Sequence, residues 1–596
     1  MPTHRTLLAA TALATAATAL ATGAAAPSDN PHSAIRNPQS PPPAARPNII
    51  FVFADQWRKQ ALGYRHEDPV QTPNLDKFAT WAFSFDNATS TNPVCGPNRA
   101  CLMTGLYPAN HGVFANSVPL SPETPTLGDL CKAAGYATAY IGKWHLNGPS
   151  DPVTTPDRRH GFDLWVQSVG HTPFNQLYYK NDTPTPYRNK NIWGPTYETA
   201  TAIDFIQKNQ AENKTKNTPK PFCVVLSYAP PHTSGGLGFE DRWQPGRHTP
   251  DGKLRLGYGY GGPKNYEALY NKTDYLKNPI RGNVRPITTR GYTDHSEGCI
   301  PGYFGAITAI DNDFGTLMTY LEKEHLLENT IVVFTADHGE SMGSQGQMTK
   351  GTWFEESTGI PAIIGWKNHT IAQRATCVYN SIDQLPTILG LAGVPAPANL
   401  DGHDYSPLLR GQPHTPPKYA YLSFYFGGIA ELKAPRYWRA LYSDRYTLVL
   451  CGMNRNRDKF THDGLVLYDR QTDPLQLHPI YKGDAHDTDA LIADLYDTLA
   501  AHLKATNDPF IEKYWNNPNP GYPQLNHTTM DLDDYRQKLE TGQVRGPRDD
   551  EGDDDTPAPQ QPKPAKTPRE DRKPKQRAKE QAAQAAAAAN NAPAQY

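Results

Sequence analysis

Four short runs of the chain are apolar throughout rather than alternating: Asn48 to Ala54 (NIIFVFA), Ala137 to Ile141 (ATAYI), Phe222 to Tyr228 (FCVVLSY) and Ile331 to Ala336 (IVVFTA). Continuous hydrophobicity is what a strand buried on both faces requires, so these runs predict a mainly parallel sheet covered by helices. Helical periodicity separates them. From Tyr303 to Glu322 the residues Phe304, Ile307, Phe314, Leu317 and Leu321 recur at three- and four-residue steps or their sums and form one apolar face. Strands alternating with helices predict an α/β fold. Past about residue 420 the texture changes to shorter pieces, Tyr437 to Leu441, Arg445 to Leu450 and Leu465 to Tyr468, then a helix around Ala490 to Leu503. This part reads as a smaller C-terminal α+β subdomain.

The two ends lack such patterns. Residues 1–26 have a short polar start, an Ala- and Leu-rich stretch and small residues near Ala26, the layout of a signal peptide. Residues 27–46 are a Pro-rich linker, and 546–596 hold blocks of like charge, Pro and an Ala run that cannot bury enough surface to order, so they read as a disordered charged tail. Between them the expected units are 47–420 and 421–545, in keeping with the length of 596 residues. A single core rarely grows beyond about 250–300 residues. The leader implies a secreted or periplasmic protein, and no other segment is long and apolar enough to span a membrane. The net charge of −2 gives no reason to expect nucleic acid or a membrane surface as partner. Seven cysteines in an exported chain leave one over after pairing. The other six have 15 possible pairings, or stay as thiols.

Polar, reactive residues follow each apolar run at once: Asp55 and Gln56, Lys143 and His145, His232, and Asp337 and His338. In an open parallel sheet the carboxyl ends of the strands share one edge, where ligands bind, so four separate stretches point into one crevice. A fifth piece is Cys95-Gly96-Pro97-Asn98-Arg99. Pro97 suits the first turn of a helix, which places Cys95 just before a helix N-terminus, where free N–H groups and the helix dipole favour an anion.

With PNIIFVFADQ (47–56), CGPNRACLMTG (95–105), YIGKWHL (140–146), APPH (229–232), FTADHGESMG (334–343), TKGTWFEES (349–357) and DGHDYSPLLRG (401–411), the chain resembles the type I sulfatases of the alkaline phosphatase superfamily. LYDRQTDP (467–474) resembles that family's C-terminal subdomain. The resemblance implies an alkaline-phosphatase-like α/β sandwich with a large mixed sheet, and sulfate-ester hydrolysis. It implies that a formylglycine-generating enzyme oxidises Cys95 to formylglycine, whose hydrate attacks sulfur and later collapses to eject sulfate, a covalent route. Asp55, Gln56, Asp337 and His338 match the metal positions, with residue 95 completing the set, and their hard donors suit Ca2+. Arg99, Lys143 and Lys350 match positions that hold sulfate or the nucleophile. His145 would orient or deprotonate the formylglycine hydroxyl, and His232 would protonate the leaving oxygen.

Four positions depart from the family pattern. Asn98 stands where Ser is commonest, Gln56 where many members have a second Asp, and Ser344-Gln345 where Asp-His is frequent. Gln56 removes one negative charge from the metal site. The stretch 157–194 is dense in aromatic and basic residues, which stack on sugar rings and bind hydroxyls or anions, so a sulfated carbohydrate is the expected substrate, with His171 and Arg158 as candidate contacts. Two other readings stay open: a phosphodiesterase or phosphonate monoester hydrolase of the same superfamily, and a sulfated-glycan-binding protein that never receives formylglycine.

Overall fold

The four apolar runs lie side by side at the centre of one sheet. The computed structural model describes residues 46–148, 154–171, 173–183, 185–215, 219–233, 260–273, 275, 278–284, 296–425, 438–451, 465–481, 486–508, 510, 526–527 and 530–531. The signal peptide, the linker up to residue 45 and the tail from 546 lie outside the described residues.

The large sheet has ten strands: β1 (Asn48–Asp55), β2 (Phe83–Thr89), β3 (Ala137–Lys143), β4 (Leu164–Val169), β5 (Leu177–Lys180), β6 (Tyr187–Arg188), β7 (Phe222–Pro231), β8 (Thr330–Ala336), β9 (Ala362–Trp366) and β10 (Gln373–Asn380). Their order is β10-β2-β9-β8-β1-β7-β3-β4-β5-β6. Pairing is parallel from β8 through β1, β7 and β3 to β4, and between β2 and β10. It is antiparallel where β9 enters between β2 and β8 and where β5 and β6 fold back at the edge. The sheet is therefore mixed, with the parallel centre that the continuous apolar runs require. Every residue of β1 is buried. The helices Gly194–Asn213 and Ser296–Lys323 pack against β7 and each other. The second begins seven residues before its apolar periodicity does and carries Pro301 in its second turn.

Beyond it lies a four-stranded antiparallel sheet, β11 (Ala420–Phe424), β12 (Trp438–Tyr442), β13 (Tyr446–Cys451) and β14 (Leu465–Asp469), in that order, with the helix His486–Ala505 packed on it. Tyr437, expected in the first of the later strand pieces, lies outside the described residues. Both faces of this sheet are covered. Leu441, Leu448 and Leu467 meet Ile492 and Leu495 of the helix, whereas Trp438, Ala440, Val449 and Val466 meet Val94 and Trp353 of the large unit. Alternate residues along β12 thus serve two cores, as the two-residue period of a strand dictates. Among the described residues, no helix is long and apolar enough to cross a membrane.

Candidate active site

Because β8, β1, β7 and β3 are parallel neighbours, the residues that follow them converge. Ala54 pairs with Ala336, so Asp55 and Asp337 emerge together, and Gly142 pairs with Ser227, which sets Lys143 beside the end of β7. The chain turns sharply at this edge: Gln56 and His145 have φ of 68° and 59°. Non-glycine residues held in the left-handed region cluster at functional sites. The Cys95 helix, Cys95–Thr104, points its N-terminus at the same place. It starts at Cys95 itself, with Val94 as N-cap, one residue earlier than Pro97 led us to expect.

Arg99 organises the carboxylates. Its Nη2 donates to Asp55 Oδ2 at 2.9 Å, its Nε to Asp337 Oδ2 at 2.9 Å, and its Nη1 to Lys143 O and Ser227 Oγ at 2.7 and 2.8 Å. The guanidinium is buried and lies over the Phe53 ring. Arg99 therefore holds Asp55 and Asp337 at a fixed geometry. The other oxygens of the two aspartates face inward: Asp55 Oδ1 is 3.6 Å from Cys95 Sγ and 3.5 Å from His338 Nε2, and Asp337 Oδ1 is 3.7 Å from that nitrogen. Donor atoms of Asp55, Cys95, Asp337 and His338 all lie within 4.8 Å of one another. His338 Nδ1 contacts Gly339 O at 3.0 Å, which leaves Nε2 for the cluster. Burial and the facing Asp55 push the Asp337 carboxyl above its usual range, a crowding of acids that a bound cation would relieve. Carboxylate oxygens with one imidazole nitrogen fit a hard divalent ion.

Cations ring the other side. Lys143 Nζ lies 2.5 Å from both Asp55 Oδ2 and His171 Nε2. Lys350 Nζ donates to Gln56 Oε1 at 2.8 Å and to His232 Nε2 at 2.9 Å. The His171 and His232 rings stack at 4.0 Å. Burial, then the adjacent lysines, hold both histidines well below their usual pKa, so they are neutral. His232 Nδ1 lies 2.8 Å from Thr233 O, which places its proton there and leaves Nε2 to accept from Lys350. At Cys95, burial and Asp55 oppose ionisation, but Lys143, Lys350 and His338 outweigh them and bring the thiol down to about 6. The field at position 95 thus favours an anion, as a nucleophile there needs.

The structure brings Asp55, Gln56, Cys95, Arg99, Lys143, His171, His232, Asp337, His338 and Lys350 into one contact network. His145 stands at its rim, its ring 6.2 Å from His171 and its carbonyl against Gly96. Arg158 is not joined to the network by any contact among the described residues; its guanidinium donates to Leu120 O at 3.3 Å. Much of the aromatic character of 157–194 is core: Phe162, Trp165, Tyr178 and Trp193 are buried, and Trp165 stacks on Tyr140 at 4.9 Å. Asn98 ties the Cys95 helix to Asp337 O and, at 2.6 Å, to Ser381 Oγ. Gln345 turns away to donate to Leu475 O. Sequence reasoning missed Asn116, whose Oδ1 accepts from Gly96 N at 2.8 Å, and Glu340 behind Gln56. Glu340 was signalled by its place in FTADHGESMG, whereas nothing local marks Asn116. Cys95, Cys101, Cys131, Cys223 and Cys377 are thiols that no disulfide joins.

Comparison with known proteins agrees with this geometry. The sulfatase family model matches residues 47–394, and the model for the N-sulphoglucosamine sulphohydrolase C-terminal region matches 343–506. An ulvan-active sulfatase of Formosa agariphila is 31% identical over 79% of this chain and 84% of its own. An endo-4-O-sulfatase of Bacteroides thetaiotaomicron is 26% identical over 78% of this chain and 94% of its own. The solved structure of the yidJ protein of Bacteroides fragilis, named as a sulfatase, covers 80% of this chain and 99% of its own with a TM-score of 0.64 and 28% identity.

Proposed function

The chain belongs to the sulfatase family, and from that premise we propose that it is an exported hydrolase that releases sulfate from a sulfated carbohydrate, with a formylglycine made from Cys95 as nucleophile. The observation that carries the reading is the position of Cys95: first residue of a helix, buried, and enclosed by Asp55, His338, Lys143 and Lys350. The hydrated aldehyde would supply one hydroxyl to attack sulfur as the S–O bond to the alcohol breaks, and a second whose deprotonation would release the sulfate. Asp55, Gln56, Asp337 and His338 together with residue 95 would hold a divalent cation, Ca2+ in our reading, which would supply positive charge to acidify the nucleophile and neutralise sulfate oxygens.

The chain's own groups do the rest. Lys143 and Lys350, whose charges both act on position 95, hold the sulfate by charge. The helix N-terminus adds backbone N–H groups and a favourable dipole. Arg99 fixes Asp55 and Asp337 at the spacing the cation requires. His145, next to Gly96, is placed to orient the hydroxyl. Protonation of the leaving oxygen falls to the Lys350–His232 pair, whose shared proton lies between Lys350 Nζ and His232 Nε2, 2.9 Å apart. His171, stacked on His232, would contribute to sugar recognition if His232 lies at the leaving oxygen. Carbohydrate substrates are supported by the names of the ulvan-active and endo-4-O-sulfatase relatives.

A panel of defined sulfated mono- and disaccharides, with an aryl sulfate and an aryl phosphodiester, tests this reading. Sulfate release from at least one sugar and from the aryl sulfate, lost in EDTA and restored by Ca2+, is expected. Faster turnover of the phosphodiester would point to phosphoryl transfer. An unmodified thiol at position 95 in protein from the native host, seen by peptide mass spectrometry, would point to binding without catalysis.

A further inference from the structure

An amide in place of a carboxylate at a metal site raises two questions: what decides which amide atom faces inward, and what replaces the lost negative charge. Glu340 answers both. Its side chain is buried, and its Oε2 accepts from Gln56 Nε2 at 2.5 Å and from Tyr260 OH at 2.6 Å. Its Oε1 accepts from the backbone N–H of Met342 and Thr349 at 2.8 and 2.7 Å. Gln56 Nε2 also donates to Tyr260 OH at 3.1 Å, so both contacts on that side demand the NH2 group. Gln56 Oε1 must then point the other way, where Lys350 Nζ donates to it at 2.8 Å. That side is the interior of the site, since the same Lys350 Nζ meets His232 Nε2 at 2.9 Å. The reversed amide would set its oxygen against a carboxylate and its NH2 against an ammonium.

We propose that Glu340 is a positioning residue for the cation: it locks Gln56 with its carbonyl oxygen facing inward and supplies, one hydrogen bond further out, the negative charge that Gln56 lacks. The proposal rests on the reading of Gln56 as a metal ligand. Partners of metal ligands in this outer position fix the ligand's orientation and strengthen its donor, and their loss costs about 10- to 100-fold in metal affinity. Backbone bonds to Met342 and Thr349 also tie Glu340 to the turn that carries Lys350, so one carboxylate sets a ligand and a sulfate-binding cation in register.

Calorimetric titration of CaCl2 into the full-length, metal-stripped protein tests this. Glu340→Gln keeps the shape and an acceptor for the two backbone N–H groups but turns an NH2 toward that of Gln56, and is expected to weaken Ca2+ binding about 10- to 100-fold. The swap Gln56→Glu with Glu340→Gln restores complementarity and total charge, and is expected to return affinity to the wild-type range. Melting in EDTA is expected to be alike for all three, which separates positioning from folding. Wild-type affinity in Glu340→Gln, or a swap no better than that single variant, would overturn the proposal. Should Glu340→Gln not fold, Tyr260→Phe carries the test: weaker binding upholds the proposal and unchanged binding overturns it. A wild-type protein that takes up no Ca2+, Mg2+ or Mn2+ would instead remove the metal reading itself, and this inference with it.

Discussion

His232 and Lys350 illustrate how a site can be legible as a list of residues and not as a set of roles. Motif order identified both, but the direction of their hydrogen bond, from Lys350 to a neutral imidazole, follows from burial and from Thr233 O holding the other nitrogen. If this pair protonates the leaving oxygen, His232→Ala should slow sugar sulfates by on the order of 10²-fold or more in kcat/KM while sparing activated aryl sulfates, whose leaving groups need no proton. Equal losses on both would mean that His232 binds sulfate instead. Arg99 was equally visible in Cys-x-Pro-x-Arg, yet its use as a clamp on Asp55 and Asp337 depends on strands far apart in sequence. A second residue-scale prediction concerns Glu198. Burial, together with Asp313, lifts its carboxyl from the ordinary 4.5 to about 8, with Tyr178 OH donating to it at 3.0 Å. Its folded-state pKa is raised, so its contribution to stability is full below the unfolded value and is lost as pH rises through about 8. The melting temperature should therefore decline between roughly pH 5 and 9, and Glu198→Gln should flatten that slope; an unchanged slope would show the carboxyl to be ionised in the fold.

At the scale of elements, the strands that lead into the candidate site were legible because burial on both faces leaves a continuous apolar run. β2 and β10 were not, since FSFDNAT and QRATCVYN mix polar and apolar residues, and the sheet edge at β4 to β6 lay in a stretch read for its aromatic chemistry. Fine placement at the strand ends depends on close approaches that no periodicity encodes. Gly142, one residue before Lys143, has φ of +110°, and a Cβ there would lie 1.9 Å from Ser227 O. Gly142→Ala should therefore force β3 away from β7, destabilise the fold by more than about 2 kcal/mol and move Lys143 off Asp55. Thermal denaturation checks the first effect and KM for an aryl sulfate the second; a variant that melts and binds like wild type would show the approach to be relaxed.

For the whole molecule, the change of texture near residue 420 announced the small sheet, but not that it supports the active site. Trp438 Nε1 donates to Gly351 O at 3.0 Å, the Phe424 ring lies against Gly351, and Arg470 meets Glu355 at 3.0 Å, so the turn bearing Lys350 is held from the C-terminal side. Trp438→Phe, which removes that hydrogen bond and keeps most of the packing, should lower kcat/KM by up to about 10²-fold through displacement of Lys350, with metal affinity unchanged. Wild-type kinetics in that variant would reduce the small sheet to a cover. The catalytic roles proposed for these residues rest on the proposed nucleophile at position 95. The most direct test is the rate of inorganic sulfate release from an aryl sulfate by wild type and by Cys95→Ala, both produced alongside a formylglycine-generating enzyme. The account predicts turnover by the wild type and less than roughly a thousandth of it in the folded, metal-binding variant; sulfate release by Cys95→Ala well above that level would contradict it.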